Sequence, residues 1–349
     1  IELVARDKSC EHPDKVCHGE SCPLAEGFYD RLPAARTAAV SAGALTRESL
    51  REIALAHGLC PYYLGQELAR WCDVIVGDYN HFFDSAALLH GLTLAHTWRA
   101  GVLVDEAHNL VDRARAMYSA SLQSATLRSV RAAAPDALRQ PLDRLRRSWT
   151  RLIKATAQAY TVLDEPPRTF TSALQDATEV ISEHLAHSPT EVDGALLQFY
   201  LDALQFTRLL DTFGAHSIFD VTLALGTASS PRQADSSLCV RNVLPAQFLR
   251  PRFATARTTV LFSATLTPWN FYADALGLPE DTAWLDVAAP FKAEQLAVHI
   301  ARHVSTRYRH RSSSLEPIAR LIAAQYDAAP GNYIAFFSSF DYLEQALDE

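Results

Sequence analysis

The sequence predicts an α/β protein, a parallel sheet interrupted by insertions. Three observations point there. Short apolar runs, Val74-Ile75-Val76, Val102-Leu103-Val104 and Val260-Leu261-Phe262, each stop at a turn-forming or acidic residue, the pattern of buried strands. Helical patterns separate them, as crossovers between parallel strands require. From about 113 to 236 strand signals nearly vanish, and Ala, Leu, Arg and Gln recur at helical spacing, which reads as an all-helical insert.

The elements follow in order. Residues 1–44 show little helical or strand period and are punctuated by Pro13, Gly19, Pro23, Pro33 and Gly43. A helix comes next, with Thr46 as its cap, Leu50, Ile53 and Ala54 on one face, and Gly58 as its stop. Cys60-Pro61-Tyr62-Tyr63 opens a second helix running to about Trp71. Val74–Val76 is a buried strand, His90–Trp98 a helix or loop, and Val102–Val104 the strand leading into Asp105-Glu106-Ala107-His108. Within the insert the clearest stripe is Leu197, Tyr200, Leu201 and Leu204, continuing to Leu209 and Phe213, and polar Thr227–Ser236 reads as a loop. Strand character returns at Val260–Phe262. A last strand, Tyr333–Phe337, follows the turn signal Pro330-Gly331-Asn332.

A chain of 349 residues has room for two or three domains. Its 48% hydrophobic and 21% charged content is that of a soluble globular protein. No apolar run approaches the ~18 residues that cross a bilayer, so no membrane partner is expected. Ile1–Arg6 lacks the basic start and apolar core of a signal peptide, so the expected compartment is the cytoplasm. The chain opens on Ile and stops inside a helical pattern, so both ends read as cut. A net charge of −8 argues against wholesale binding to a polyanion and leaves room for a local basic groove.

The acidic motif carries the most chemistry. Asp105 and Glu106 emerge at the carboxyl end of a strand, where open α/β sheets bind ligands. In a nucleotide hydrolase the first carboxylate holds Mg²⁺ at the β- and γ-phosphates of ATP, and the second orients and deprotonates the attacking water. Adjacent acids suit that task because metal and water lie side by side. His108 then stands where it can sense the nucleotide. Ser263-Ala264-Thr265, after its own strand, offers small hydroxyl groups that can couple a nucleotide-dependent shift to a neighbouring domain. By itself it is also an ordinary turn.

Four of six cysteines, Cys10, Cys17, Cys22 and Cys60, fall in the first 60 residues. Clustered cysteines in a cytosolic chain suggest a metal rather than disulfides. Four thiolates suit zinc or a 4Fe–4S cluster. The spacing lacks the two short pairs of most zinc sites, while His12 and His18 keep zinc open. Cys72 and Cys239 stand alone in apolar surroundings, as small buried hydrophobes do.

Taken in order, these motifs resemble the DinG/XPD-type iron–sulfur DNA helicases of superfamily 2. The resemblance is carried by the four cysteines with Cys60-Pro61-Tyr62-Tyr63-Leu64, by Gly77-Asp78-Tyr79-Asn80-His81-Phe82-Phe83-Asp84, and by the acidic motif. Asn242-Val243-Leu244-Pro245-Ala246, Val260–Pro268, Ala289-Pro290-Phe291 and Phe336–Phe340 extend it across the chain. It implies RecA-like motor domains of the P-loop NTPase kind and a 4Fe–4S cluster on Cys10, Cys17, Cys22 and Cys60. It further implies ATP and Mg²⁺ as cofactors, single-stranded and forked or tailed duplex DNA as partner, and 5′ to 3′ translocation. The implied organisation is an iron–sulfur domain over 1–68, motor domain 1 over 69–112, a helical arch over 113–236, a return to motor domain 1 over 237–286, and the start of motor domain 2 over 287–349.

Three departures accompany the resemblance. None of the four lysines follows a glycine, so the G-K-[ST] phosphate loop is not in the sequence and is expected before residue 1. The arginine-bearing motifs of the second motor domain are expected beyond residue 349. Gln66 stands where many members carry Arg. The chain alone is therefore expected not to hydrolyse ATP. A non-catalytic, metal-stabilised DNA-binding module and a nuclease-associated protein are the alternatives.

DNA contact needs positive charge and aromatic stacking partners. The candidates are Arg6, Lys8 and Lys15 with Tyr62 and Tyr63, the arginines about Trp149, and Arg302, Arg307, Arg309 and Arg311 about Tyr308. By resemblance, Tyr79, Asn80 and His81 border the DNA path.

Overall fold

The computed structural model describes residues 1–156, 158–187, 193–223 and 235–349. They form two compact units, Ile1–Trp284 and Leu285–Glu349.

In the first unit the described strands form three sheets. Strand β1 (Glu2–Leu3) pairs in parallel with β2 (Val76–Gly77). Strand β3 (Gly101–Val104) pairs in parallel with β8 (Thr258–Leu261), Val104 opposite Leu261. Some 150 residues of sequence intervene, and the pairing sets the ends of the two strands side by side. Val104 is buried while Leu103 is exposed, so the apolar run has one covered face rather than two. The run at 74–76 is likewise not a buried strand: pairing begins only at Val76, and both Val74 and Val76 are exposed.

The insert corrects the expectation of an all-helical domain. Strands β4 (Ala120–Gln123), β5 (Tyr160–Leu163), β6 (Ser217–Leu223) and β7 (Ser236–Asn242) form an antiparallel sheet in the order β4-β7-β6-β5. Phe219 and Val221 on β6 and Leu238 and Val240 on β7 share one buried face, and Asp220 and Cys239 between them are buried as well, so the middle of the sheet is covered on both faces. Against it pack Leu138, Leu142 and Leu145 of helix Asp136–Ala155, Phe170 and Leu174 of helix Arg168–His187, and helix Gly194–Asp211. In that last helix the buried stripe is Leu196, Phe199, Ala203, Phe206 and Leu209; of the expected stripe Leu209 is buried, Tyr200 and Phe213 pack partly buried against the core, and Leu201 is exposed. Most of the expected loop at 227–236 lies outside the described residues; Ser236 opens β7.

The amino-terminal region holds a helix, Phe28–Ala42, that the breakers hide in the sequence. Phe28, Leu32, Ala35 and Ala39 form its buried face against Leu50, Ala54, Leu59 and Leu64, and Pro33 lies inside it as the sixth residue, where it gives up one backbone donor. Helix Arg47–Ala56 begins as expected, with the Thr46 side chain accepting the Ser49 amide at 3.3 Å, and stops at Gly58, whose φ is +67°. Helix Pro61–Leu68 starts with Pro61 in its first turn and Cys60 as its cap residue.

In the second unit, helices Arg311–Ala328 and Phe340–Asp348 meet where the Ser314 hydroxyl bonds that of buried Tyr342. The expected strand at 333–337 is not formed. Ile334 and Phe336 are 81% and 91% exposed, and no strand is found among the described residues of this unit. A parallel strand exists only beside a neighbour that takes its backbone hydrogen bonds.

Candidate active site

The acidic motif sits where β3 ends. Glu106 adopts a left-handed backbone, φ 46° and ψ 45°, which costs a non-glycine residue about 1–2 kcal/mol. An observed strained residue of this kind is a pointer to function. The turn is held on both sides. The Glu106 amide donates to Asp105 Oδ1 at 2.8 Å, and the Ala107 amide donates to the Phe262 carbonyl at 3.1 Å. The Phe262 amide donates to the Val104 carbonyl at 3.0 Å, so the ladder runs one step past both strands. On its carboxyl side the turn is anchored in the core by buried Ala107, Leu110 and Val111.

Ser263 joins the two strand ends. Its hydroxyl donates to Glu106 Oε2 at 3.2 Å and accepts the Thr265 amide at 3.2 Å. His108 Nδ1 lies 2.8 Å from the same oxygen and 3.2 Å from Glu106 Oε2. One hydroxyl proton and two lone pairs satisfy all three partners when His108 carries its proton on Nδ1. Asp105, Glu106, His108, Ser263 and Thr265 are thus brought together, with Ala264 exposed in the turn between the two hydroxyl residues.

Tyr79 is the contact that sequence reasoning missed. Its hydroxyl donates to the carbonyls of Asp105 and, at 3.1 Å, Glu106. Burial, then the charges of Asp105 and Asp78, push its pKa up, so the proton stays on. The Arg113 guanidinium lies 5.9 Å from the ring centroid and pairs with Asp78. No sequence signal marks this link beyond a tyrosine after a strand. Asn80 is exposed, whereas His81 is half-buried; burial lowers its pKa, and it hydrogen-bonds the Leu3 backbone.

Cys10, Cys17 and Cys22 precede helix Phe28–Ala42, and Cys60 is the cap residue of helix Pro61–Leu68. Cys10 closes a short turn, its amide donating to Arg6 at 2.8 Å, and Arg6 Nη1 lies 3.9 Å from Cys17 Sγ. Burial pushes the Cys60 thiol up while the backbone amides of Tyr63 and Tyr62 pull it down; the charges of Cys10 and Cys17 push it further up. Cys10, Cys17 and Cys60 thus lie close enough for the charge on one to bear on another, and four thiols are a donor set that a thiolate-bound cluster can take. The ligand geometry is not closed: among the described residues no three His, Cys, Asp or Glu side chains are placed to hold one metal ion. Cys239 is buried and its thiol is pushed up to about 11 by burial.

The remaining candidates divide. Trp149 is not a stacking partner: it is 3% exposed, and its indole N–H donates to Ser236 at 2.9 Å. Around it Arg144 pairs with Asp176 and Arg146 with Asp143. Tyr308 is 84% exposed with Arg311 5.2 Å from its ring centroid, and Tyr63 is exposed beside half-buried Tyr62.

Comparison with known proteins adds four findings. Residues 2–127 match the DEAD_2 family model. The chain is 31% identical over 286 residues to the ATP-dependent helicase DinG of Mycobacterium tuberculosis, covering 71% of this chain and 40% of that protein. It is 30% identical over 141 residues to an Anopheles gambiae homologue of regulator of telomere elongation helicase 1, covering 36% of this chain and 14% of that protein. The fold is similar to a solved XPD helicase, with a TM-score of 0.51 at 18% identity, over 86% of this chain and 52% of the other. That likeness supports a RecA-like helicase fold. The chain spans less than half the length of these curated relatives.

Proposed function

We propose that the chain belongs with the DinG/XPD-like helicases of superfamily 2, to which its sequence is similar, and that it is the part of an ATP-driven DNA helicase that activates the hydrolytic water and relays the result to DNA. The observation that carries this is the hydrogen-bonded unit of Glu106, Ser263 and His108, which ties the acidic turn to the serine turn across paired strands. Glu106 orients and deprotonates the attacking water. Asp105 would hold Mg²⁺, which when bound neutralises charge on the β- and γ-phosphates of ATP. Magnesium commonly takes one or two carboxylates beside substrate phosphates and water, so a lone Asp105 suits it without a wider cage. Ser263 and Thr265 carry a change at Glu106 into the strand-end turn after β8.

Cys10, Cys17, Cys22 and Cys60 would hold a 4Fe–4S cluster, which when bound cross-links the segment at four points. Tyr62, Tyr63, Tyr79, Asn80 and His81 offer stacking and polar contact to single-stranded DNA. Forked or tailed duplexes are the substrates and 5′ to 3′ the direction. The test is ATP turnover by the full-length protein with single-stranded DNA. Glu106→Gln is expected to lower it by about a hundredfold or more while ATP still binds, and turnover indifferent to this change overturns the assignment.

A further inference from the structure

We propose that Tyr79 is a positioning residue for hydrolysis, its hydroxyl holding the left-handed turn that aims the Glu106 carboxylate. The inference rests on reading the acidic turn as the hydrolytic site, and deepens it. Tyr79 touches neither acidic side chain; it donates to the carbonyls of Asp105 and Glu106. Successive carbonyls point to opposite sides in extended backbone and to the same side in helical backbone of either hand. One hydroxyl can reach both only while Glu106 keeps a helical rather than an extended backbone, here with φ 46° and ψ 45°. The shared proton therefore selects the backbone state from which the Glu106 side chain meets Ser263 at 3.2 Å.

The donor is itself fixed. Arg113 stands 5.9 Å from the ring centroid and is tied to Asp78, whose Oδ1 also accepts the Asn80 amide at 3.1 Å. Buried Phe82 and Phe83 pin the short helix Asn80–Phe83. Removing the hydroxyl leaves this frame in place and deletes only the grip on the turn. Glu106 is then free to relax toward the extended backbone that non-glycine residues prefer, which swings its carboxylate off the water position.

Tyr79→Phe in the full-length protein tests this. The expected result is a kcat for DNA-stimulated ATP hydrolysis about tenfold lower, with the KM for ATP unchanged, the mark of an interaction used in the transition state. In a Glu106→Gln background the same change is expected to add no further loss, because the two act as one unit. A kcat unaffected by Tyr79→Phe, or equal losses in both backgrounds, overturns the proposal. Amide exchange of the segment 105–109 gives a readout independent of turnover. Tyr79→Phe is expected to speed it about threefold or more, and unchanged exchange overturns the proposal. Turnover that ignores Glu106→Gln would overturn the hydrolytic reading instead, so the two failures are distinct.

Discussion

Replacing Ser263 by alanine removes one oxygen from the centre of the candidate site and adds no bulk. That oxygen contacts Glu106 Oε2 at 3.2 Å, His108 Nδ1 at 2.8 Å, the Thr265 amide at 3.2 Å and, at 3.5 Å, the Thr265 hydroxyl. A hydrogen bond to a charged group is worth about 1.5–3 kcal/mol. The Glu106 side chain is 57% exposed, so water replaces part of what is lost, and His108 remains 3.2 Å from Oε2. A net loss of about 1–2 kcal/mol results, which is roughly a 5–30-fold fall in the rate of the chemical step. The assay is single-turnover ATP hydrolysis by the full-length protein on single-stranded DNA, with His108→Ala and the double variant beside it. Because His108 and Ser263 bear on the same carboxylate oxygen, the double variant is expected to lose less than the product of the single losses. Full multiplicativity, or a Ser263→Ala effect confined to the KM for ATP, would refute the argument that Ser263 acts through Glu106.

Two further outcomes are expected. Purified without oxygen, the protein should be brown with about four irons per chain, and Cys60→Ser should lose both; a colourless protein with one bound zinc would remove the iron–sulfur assignment. Burial lowers the pKa of His81, His90 and His216, with the Arg252 charge adding to the shift at His90. In each case the unfolded state takes up its proton first, so stability is whole above about pH 6.5 and falls as pH drops through the folded values. Urea midpoints at pH 7.5 and 5.5 should fall in that order, and equal midpoints would refute the sign.

What was legible in the sequence was what local chemistry controls. Thr46 and Gly58 bound a helix because a hydroxyl cap and a left-handed glycine act on their own neighbours. The acidic strand and the serine strand were each visible as apolar runs closed by turn residues, and their pairing is the one long-range step they imply. The helix Phe28–Ala42 was hidden because Pro33 and the flanking glycines read as breakers, while its stability comes from Leu50, Leu59 and Leu64, distant in sequence. The sheet in the insert escaped for a similar reason. Its strands are four to seven residues long, and β6 is recognisable mainly by the burial of Phe219 and Val221 against helices far along the chain. Within the site, the acids, His108 and the serine turn were identifiable as residue types. The role of Tyr79 was not, because its bond goes to backbone carbonyls 26 and 27 residues away and leaves no side-chain pattern.

The most direct test of the central claim is strand displacement from a duplex with a 5′ single-stranded tail, by the full-length protein with ATP and Mg²⁺. Wild type should displace the strand, Glu106→Gln should not, and a 3′ tail should serve poorly. Displacement equal in the two proteins, or none by wild type on any tailed substrate, would contradict the account.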